Sequence, residues 1–264
     1  MSKTNCLNCG KVLTDKFCSG CGQKADTHRI TFKNFIFHDV LHGTFHLDKG
    51  ILFTAKQALT RPGQAALDYI SGKRKPFYNV FYLILITIGL IIFLHHYYDV
   101  LQMGKGIIIE PEKYPNEASR KIDQIFAEKS KILILLFVPF TAINSFILFR
   151  RKKLNLSEHA ILAGMILLGM LLLSLIGNLL FYLRLIIDSN TLGVIINYLT
   201  ISLIFFLMGY GYYNAFRNEY SKWGMTYRIL LFFVMLSIEI CILIFILIGI
   251  VTNWKMGTVR ISPF

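Results

Sequence analysis

From Phe77 onward the chain consists largely of Ile, Leu, Phe and Gly in long runs, more apolar matter than a domain of this size can hide from water. A window of about 19 residues picks out five segments able to cross a hydrocarbon core of about 30 Å. They fall at 77–97, 131–149, 158–182, 191–214 and 227–251. With 55% hydrophobic residues and a mean hydropathy of +0.55, the chain reads as an all-α integral membrane protein, a five-span helical bundle. The first residues are polar, so no cleaved leader is expected and the first span directs insertion.

The connecting segments set an expected orientation. Lys73-Arg74-Lys75, Arg150-Arg151-Lys152-Lys153 and the trio Arg217, Lys222 and Arg228 fall on one side of a five-span arrangement. The loop at 99–130 holds five basic and six acidic residues. By the positive-inside rule the basic segments are cytoplasmic and the mixed loop is extracytoplasmic. The N-terminus is then inside and the C-terminus, with Trp254 and Arg260, outside. The expected location is a bacterial cytoplasmic (inner) membrane. Phe77, Tyr78, Phe81 and Tyr82 at one end, and Tyr97, Tyr98 and Trp254 at the other, read as interfacial belts. The net charge of +13 is partly explained by attraction to anionic lipid headgroups, which removes the need for a nucleic-acid partner.

A second feature belongs to a different chemistry. Cys6-x-x-Cys9 and Cys18-x-x-Cys21 form two pairs, with Gly10 and Gly22 following the second cysteine of each. Such turns each present two thiolates from one tight loop, and two of them complete a tetrahedral Cys₄ zinc site. In a reducing cytoplasm paired cysteines are more often metal ligands than disulfides. Residues 1–26 are therefore expected to form a small zinc ribbon, with a hairpin between its knuckles and a structural Zn²⁺ without an open coordination position. Cys241, in the last span, reads as an ordinary small apolar residue.

Between ribbon and first span, residues 27–76 mix apolar and polar residues at helical spacing. Phe32, Phe35, Ile36, Val40 and Leu41 share one face, and Ile51, Leu52, Ala55 and Leu59 another. Neither stretch is long enough to span, so both read as interfacial helices, with packing against the spans as the alternative. His38, His42 and His46 recur every four residues near Asp39 and Asp48, a spacing that suits either a metal or an amphipathic interface. Arg61-Pro62-Gly63 is a helix stop and turn, and Gly72-Lys73-Arg74-Lys75-Pro76 a charged hinge. Arg61, Lys73, Arg74 and Lys75 are candidate contacts for an anionic lipid.

The ribbon, then FHLDKGILFTAKQALTRPGQAALDYISGKRKPFYNVFYLIL from Phe45 to Leu85, then SEHAIL from Ser157 to Leu162, closely resembles a bacterial membrane family called domain of unknown function 3667. Where members of that family often carry a proline after the aromatic residue preceding the first span, this chain has Val80. The resemblance implies an architecture and no mechanism.

Inside the spans, Glu239 is an intramembrane acid, a functional candidate or a packing hydrogen bond to Asn144, Asn178 or Asn197. Glu158 and His159 open the third span; Glu158 suits a helix N-terminus, and the family resemblance adds weight to a functional role for both. Nothing matches a P-loop, a Gly-x-Ser-x-Gly elbow or an HExxH helix, so no catalytic residues are assigned. Three readings follow. The first is a non-enzymatic membrane protein whose ribbon docks a cytoplasmic protein or regulates the bundle. The second is a transporter or lipid-handling protein using the intramembrane polar residues, and the third a membrane enzyme acting on headgroups near the hinge.

Overall fold

The computed structural model describes residues 5–25, 27, 50–104, 117–187, 190–252 and 254. The histidine series His38, His42 and His46, with Asp39, Asp48, the Phe32–Leu41 face and Arg260, lies outside the described residues. Among the described residues seven α-helices follow the ribbon: α1 (Gly50–Thr60), α2 (Pro62–Ile70), α3 (Val80–Gly104), α4 (Glu117–Leu148), α5 (Leu156–Phe181), α6 (Asn190–Phe216) and α7 (Lys222–Thr252). Four of the described helices are long and apolar enough to cross a membrane: α3, α5 extended to Leu185, α6 from Thr191, and α7.

The remaining expected span, 131–149, is the apolar half of a longer helix. The charged stretch before it does not form a separate loop helix; Glu117 to Leu148 is one continuous α4. Its apolar part, Ile134–Leu148, is about 22 Å long at 1.5 Å per residue, below the length that crosses a bilayer on its own. Pro139 lies inside α4, and the Thr141 hydroxyl donates to the Phe137 and Val138 carbonyls beside it, at 2.7 and 3.2 Å.

Helix α5 is the central post. It packs against α1, α2, α3, α4 and α6, and its Leu162, Met165, Ile166 and Leu168 are fully buried. Helices α6 and α7 instead leave rows of large apolar side chains exposed, among them Val194, Phe205, Phe206, Ile238, Phe245 and Ile250, as expected of surfaces facing hydrocarbon. Two of the three basic segments, Arg150–Lys153 and the one carrying Arg217, Lys222 and Arg228, meet at one end of the bundle. There the Arg151 guanidinium donates to the Glu219 carbonyl at 2.8 Å, Lys152 pairs with Glu219 at 3.5 Å, and Arg228 donates to the Leu148 carbonyl at 3.1 Å. Arg151 and Arg228 both stack on the Tyr220 ring.

Helices α1 and α2 form a helical hairpin packed into the bundle, the alternative to lying on a surface, and the face α1 turns inward is the small and polar one. Thr54, Gln57 and Ala58 are buried, whereas Leu52, from the apolar face, is 80% exposed. Small residues on that face let backbones approach closely. A Cβ on Gly63 would lie 2.0 Å from the Gly211 carbonyl oxygen, and one on Gly169 2.4 Å from the Ala58 carbonyl oxygen. The Gln64 N–H donates to Asn214 Oδ1 at 2.7 Å. Gly164 is level with Val80, the first residue of α3, and Gly169 lies about 8 Å further along α5, so the hairpin reaches past the start of α3. It also covers two aromatic residues expected at an interface: Tyr78 and Tyr82 are buried in the core, and the Tyr78 N–H donates to Thr54 Oγ1 at 2.8 Å.

Gly63→Val tests this packing. Because the obstacle is backbone, overpacking is expected to lower stability by about 3 kcal/mol and to open α1 and α2 to protease, read by thermal unfolding and limited proteolysis. Wild-type behaviour would show that the hairpin does not seat on α6.

Candidate metal centre and hinge clamp

Each CxxC turn sits at the tip of its own short hairpin, closed by an isolated antiparallel bridge: Asn5 with Val12 around the first pair, Phe17 with Lys24 around the second. This differs from the expected single hairpin between the knuckles. Two-residue loops between cysteines leave each chain free to turn back at once, and glycine permits the turn. Gly10 and Gly22 have φ of +77° and +69°, and their N–H groups donate to the Cys6 and Cys18 carbonyls at 2.9 and 2.8 Å.

The two tips face each other. The Sγ atoms of Cys6, Cys9, Cys18 and Cys21 all lie within 4.8 Å of one another, with Cys6 to Cys21 at 3.6 Å and Cys9 to Cys18 at 3.5 Å. A disulfide needs about 2.05 Å, and all four thiols are free. Sulfurs about 2.3 Å from a tetrahedral zinc lie about 3.8 Å apart, so the four donors fit that ion in number, type and spacing. The surrounding amides already favour thiolate. Cys21 is drawn down to about 6 by the Asn8 side chain and then by the Gln23 backbone, and Cys18 is lowered by the Gly20 and Cys21 backbone N–H groups. The Lys11 N–H also pulls on Cys9, yet hydrogen bonding to Cys18, burial and the other two thiols outweigh it and raise Cys9 to about 11. A bound ion would hold all four as thiolates.

The ribbon does not hang free. Gln23 is buried against the hinge: its Nε2 donates to the Gly72 carbonyl at 2.8 Å, and its Oε1 accepts from the Arg74 and Lys75 N–H groups at 3.2 Å each. Gly72 has φ of +104°, and a Cβ there would lie 2.4 Å from Leu7 Cδ1. The hinge must therefore be glycine both for its backbone and for the ribbon that sits on it. Nothing in the sequence pointed to Gln23 or Leu7, since they meet Gly72 across 49 and 65 residues of chain. Gly72 carried the one legible signal, a glycine in a charged hinge.

The proposed lipid-contact residues divide in this setting. Arg61 and Lys73 both pair with Asp68, at 3.6 and 3.1 Å, and Arg61 also donates to the Gln57 side chain. Arg74 lies over the Tyr69 ring, 5.4 Å from its centroid. The segment carrying the hairpin, the hinge and the start of α3 is also the part of the chain that a family model matches. Residues 48–91 match the family model described as Protein of unknown function (DUF3667). The resemblance to domain of unknown function 3667 thus holds over this segment. No curated protein and no solved structure matches the chain.

The intramembrane polar residues resolve into two groups. Thr141, Asn144 and Ser145, a stripe on α4, are all buried and face inward. Asn144 Nδ2 donates to Glu239 Oε2 at 2.8 Å, the packing partner expected for Glu239, and Asn144 Oδ1 is buried with no hydrogen bond among the described residues. His159, 1% exposed, shares a 2.8 Å hydrogen bond between its Nδ1 and the Ser145 hydroxyl and packs on Phe146 and Phe216. Glu158, its neighbour in sequence, caps the helix. Its carboxylate accepts from the Asn155 N–H, and Asn155 Oδ1 accepts from the Glu158 N–H, both at 2.8 Å, a reciprocal cap on α5. Asn178 and Asn197 are elsewhere, lining a cavity near the far end of the bundle.

Two outcomes follow from these contacts. The purified chain is expected to hold one zinc per chain by elemental analysis, and Cys6→Ser with Cys9→Ser to lose it while the apolar helices stay folded. Ser145→Ala leaves His159 buried without its partner and is expected to cost about 1–3 kcal/mol in thermal unfolding.

Proposed function

We propose that this is a multi-pass membrane protein in which a zinc-held ribbon regulates the membrane bundle through the hinge at Gly72–Lys75. The observation that carries this reading is the triple hydrogen bond of Gln23 to that hinge. The hinge joins α2, wedged among α5 and α6, to α3, so a ribbon that grips or releases it acts on both. A closed four-thiolate site supports a structural role for zinc: it holds Leu7 and Gln23 at the spacing the hinge requires. The exposed side of the ribbon, with Val12 at 65% and Phe17 at 59%, then offers an apolar surface to a cytoplasmic protein partner.

The gathering of basic segments at the ribbon end supports a cytoplasmic N-terminus in a bacterial inner membrane, with lipid headgroups beside Lys73 and Lys75. We further assign α4 as a fifth crossing. It packs between α5 and α7, both span-length, and it turns Thr141, Asn144 and Ser145 inward, as a helix bathed in lipid must. The C-terminus is then extracytoplasmic. Glu158 and His159 are held by capping and packing contacts, which favours regulation over a transport path through them.

Gln23→Ala with Leu7→Ala separates ribbon function from ribbon folding. Zinc content is expected to stay at the wild-type level while protease cleavage at the Lys73–Lys75 hinge rises about tenfold, the loss of one or more buried hydrogen bonds. An unchanged hinge would remove the regulatory reading. Single cysteines at Lys73 and Lys121 in a chain cleared of native thiols report orientation: the first is expected to label from the cytoplasmic face and the second from the other.

A further inference from the structure

Two cavities adjoin along one face of α5. One, of about 590 Å³, is walled by α4, α5 and α7, including Phe137, Phe140, Ile240 and Leu243, and nearly all its lining is apolar. The other, of about 310 Å³, lies between α3, α5 and α6 and carries His95, Asn178, Asn197 and Thr200. They share Ser174 on α5 and Ile204 on α6. Along α5 the lining runs Leu167, Leu171, Ser174, Asn178, Phe181, one stripe at helical spacing that changes from apolar to polar toward the end remote from the ribbon.

We propose that this stripe is a binding site for one membrane phospholipid of the leaflet remote from the ribbon, its acyl chain in the apolar cavity and its phosphate end at the polar one. Three observations select that occupant. The stripe from Leu167 to Phe181 is about 21 Å long, and one leaflet, hydrocarbon plus headgroup zone, is about 20–22 Å thick. Its polarity changes in the same sense as a lipid's, and each cavity has a size usual for a bound small molecule, about 300–1,000 Å³. Charge fits as well. Arg184 lies over Phe181, a lining residue, 5.1 Å from the ring centroid, bringing a guanidinium to the polar mouth. His95, which also lines this cavity, is 3.9 Å from Asp99.

Asn197 gives the polar end a further reason to hold a ligand. It is exposed on α6 about 10 Å from the helix start, and among the described residues nothing hydrogen-bonds its side chain. The side chains beside it satisfy themselves locally: Thr200 donates to the Ile196 carbonyl and Asn178 Nδ2 to the Ser174 carbonyl, both at 2.8 Å. An unsatisfied amide at membrane depth is costly, and a glycerol ester or phosphate oxygen supplies its acceptor.

The test uses the full chain in vesicles of phosphatidylethanolamine and phosphatidylglycerol, extracted gently and weighed by native mass spectrometry. One retained phospholipid per chain is expected. Ile240→Trp, which fills the apolar cavity from an exposed position, and Arg184→Gln, which removes the cation, are each expected to lower retention about tenfold with thermal unfolding unchanged. A wild-type control needs no variant to fold: a phospholipid with a diazirine on its acyl chain should cross-link chiefly to α4 and α7 residues lining the apolar cavity. Equal retention in all three proteins, cross-links spread evenly over α3, α6 and α7, a retained apolar molecule without phosphate, or a doubled protein mass with no lipid would each overturn the proposal.

Discussion

Two glycines of the described bundle face a neighbouring backbone so closely that no side chain fits between. Gly63 lies against the Gly211 carbonyl and Gly169 against that of Ala58, and these two contacts seat a short helical hairpin among much longer helices. In hydrocarbon, burying a leucine in place of lipid brings little, so stability comes from van der Waals contact at short range and from hydrogen bonds with no competing water. Glycine and alanine supply the first, and the bond between Gln64 and Asn214 the second. The rest of the structure depends on this seating. The hairpin covers Tyr78 and Tyr82, ends at the hinge, and so presents Gly72 where the ribbon can reach it.

From hinge to ribbon the same logic continues in a different solvent. The ribbon has too few apolar residues to hold itself together, and its order rests on four sulfurs brought within 4.8 Å. Once formed, it contributes a neutral amide to three backbone groups of a segment that carries three positive charges. A charged side chain in Gln23's place would lose part of that bonding pattern, since a carboxylate only accepts and an ammonium or guanidinium only donates. The cysteine cluster, hinge geometry and hairpin position are thereby linked through one contact.

Much of the candidate site was legible beforehand because its signals are local. The cysteine spacing and the two glycines define a metal knuckle within four or five residues, and Asn155 with Glu158 defines a helix cap within three. Long apolar runs mark crossing helices whatever surrounds them. Local signals stop where distant partners decide. The residue pattern of α1 leaves an interfacial helix and packing against the spans both open, and the structure takes the second, with Thr54, Gln57 and Ala58 buried and Leu52 exposed. The stretch from Glu117 to Lys129 was separated from the following span because charge and hydropathy change there, yet the helix continues, since backbone hydrogen bonding is indifferent to that change.

By itself the sequence determined what each segment is: four thiol ligands in two turns, a charged glycine hinge, helices of membrane length, and basic residues concentrated in particular connections. Those properties depend on residue type and short spacing, which no tertiary context is needed to read. Only the tertiary structure decided which segments meet. That Gln23 closes on Gly72, that Gly63 faces Gly211, that Asn144 finds Glu239, and that Ser174 joins an apolar cavity to a polar one are facts about pairs far apart in the chain. Such pairings arise from packing a whole bundle at once, and a neutral glutamine or a lone glycine carries no local mark of the partner it will meet.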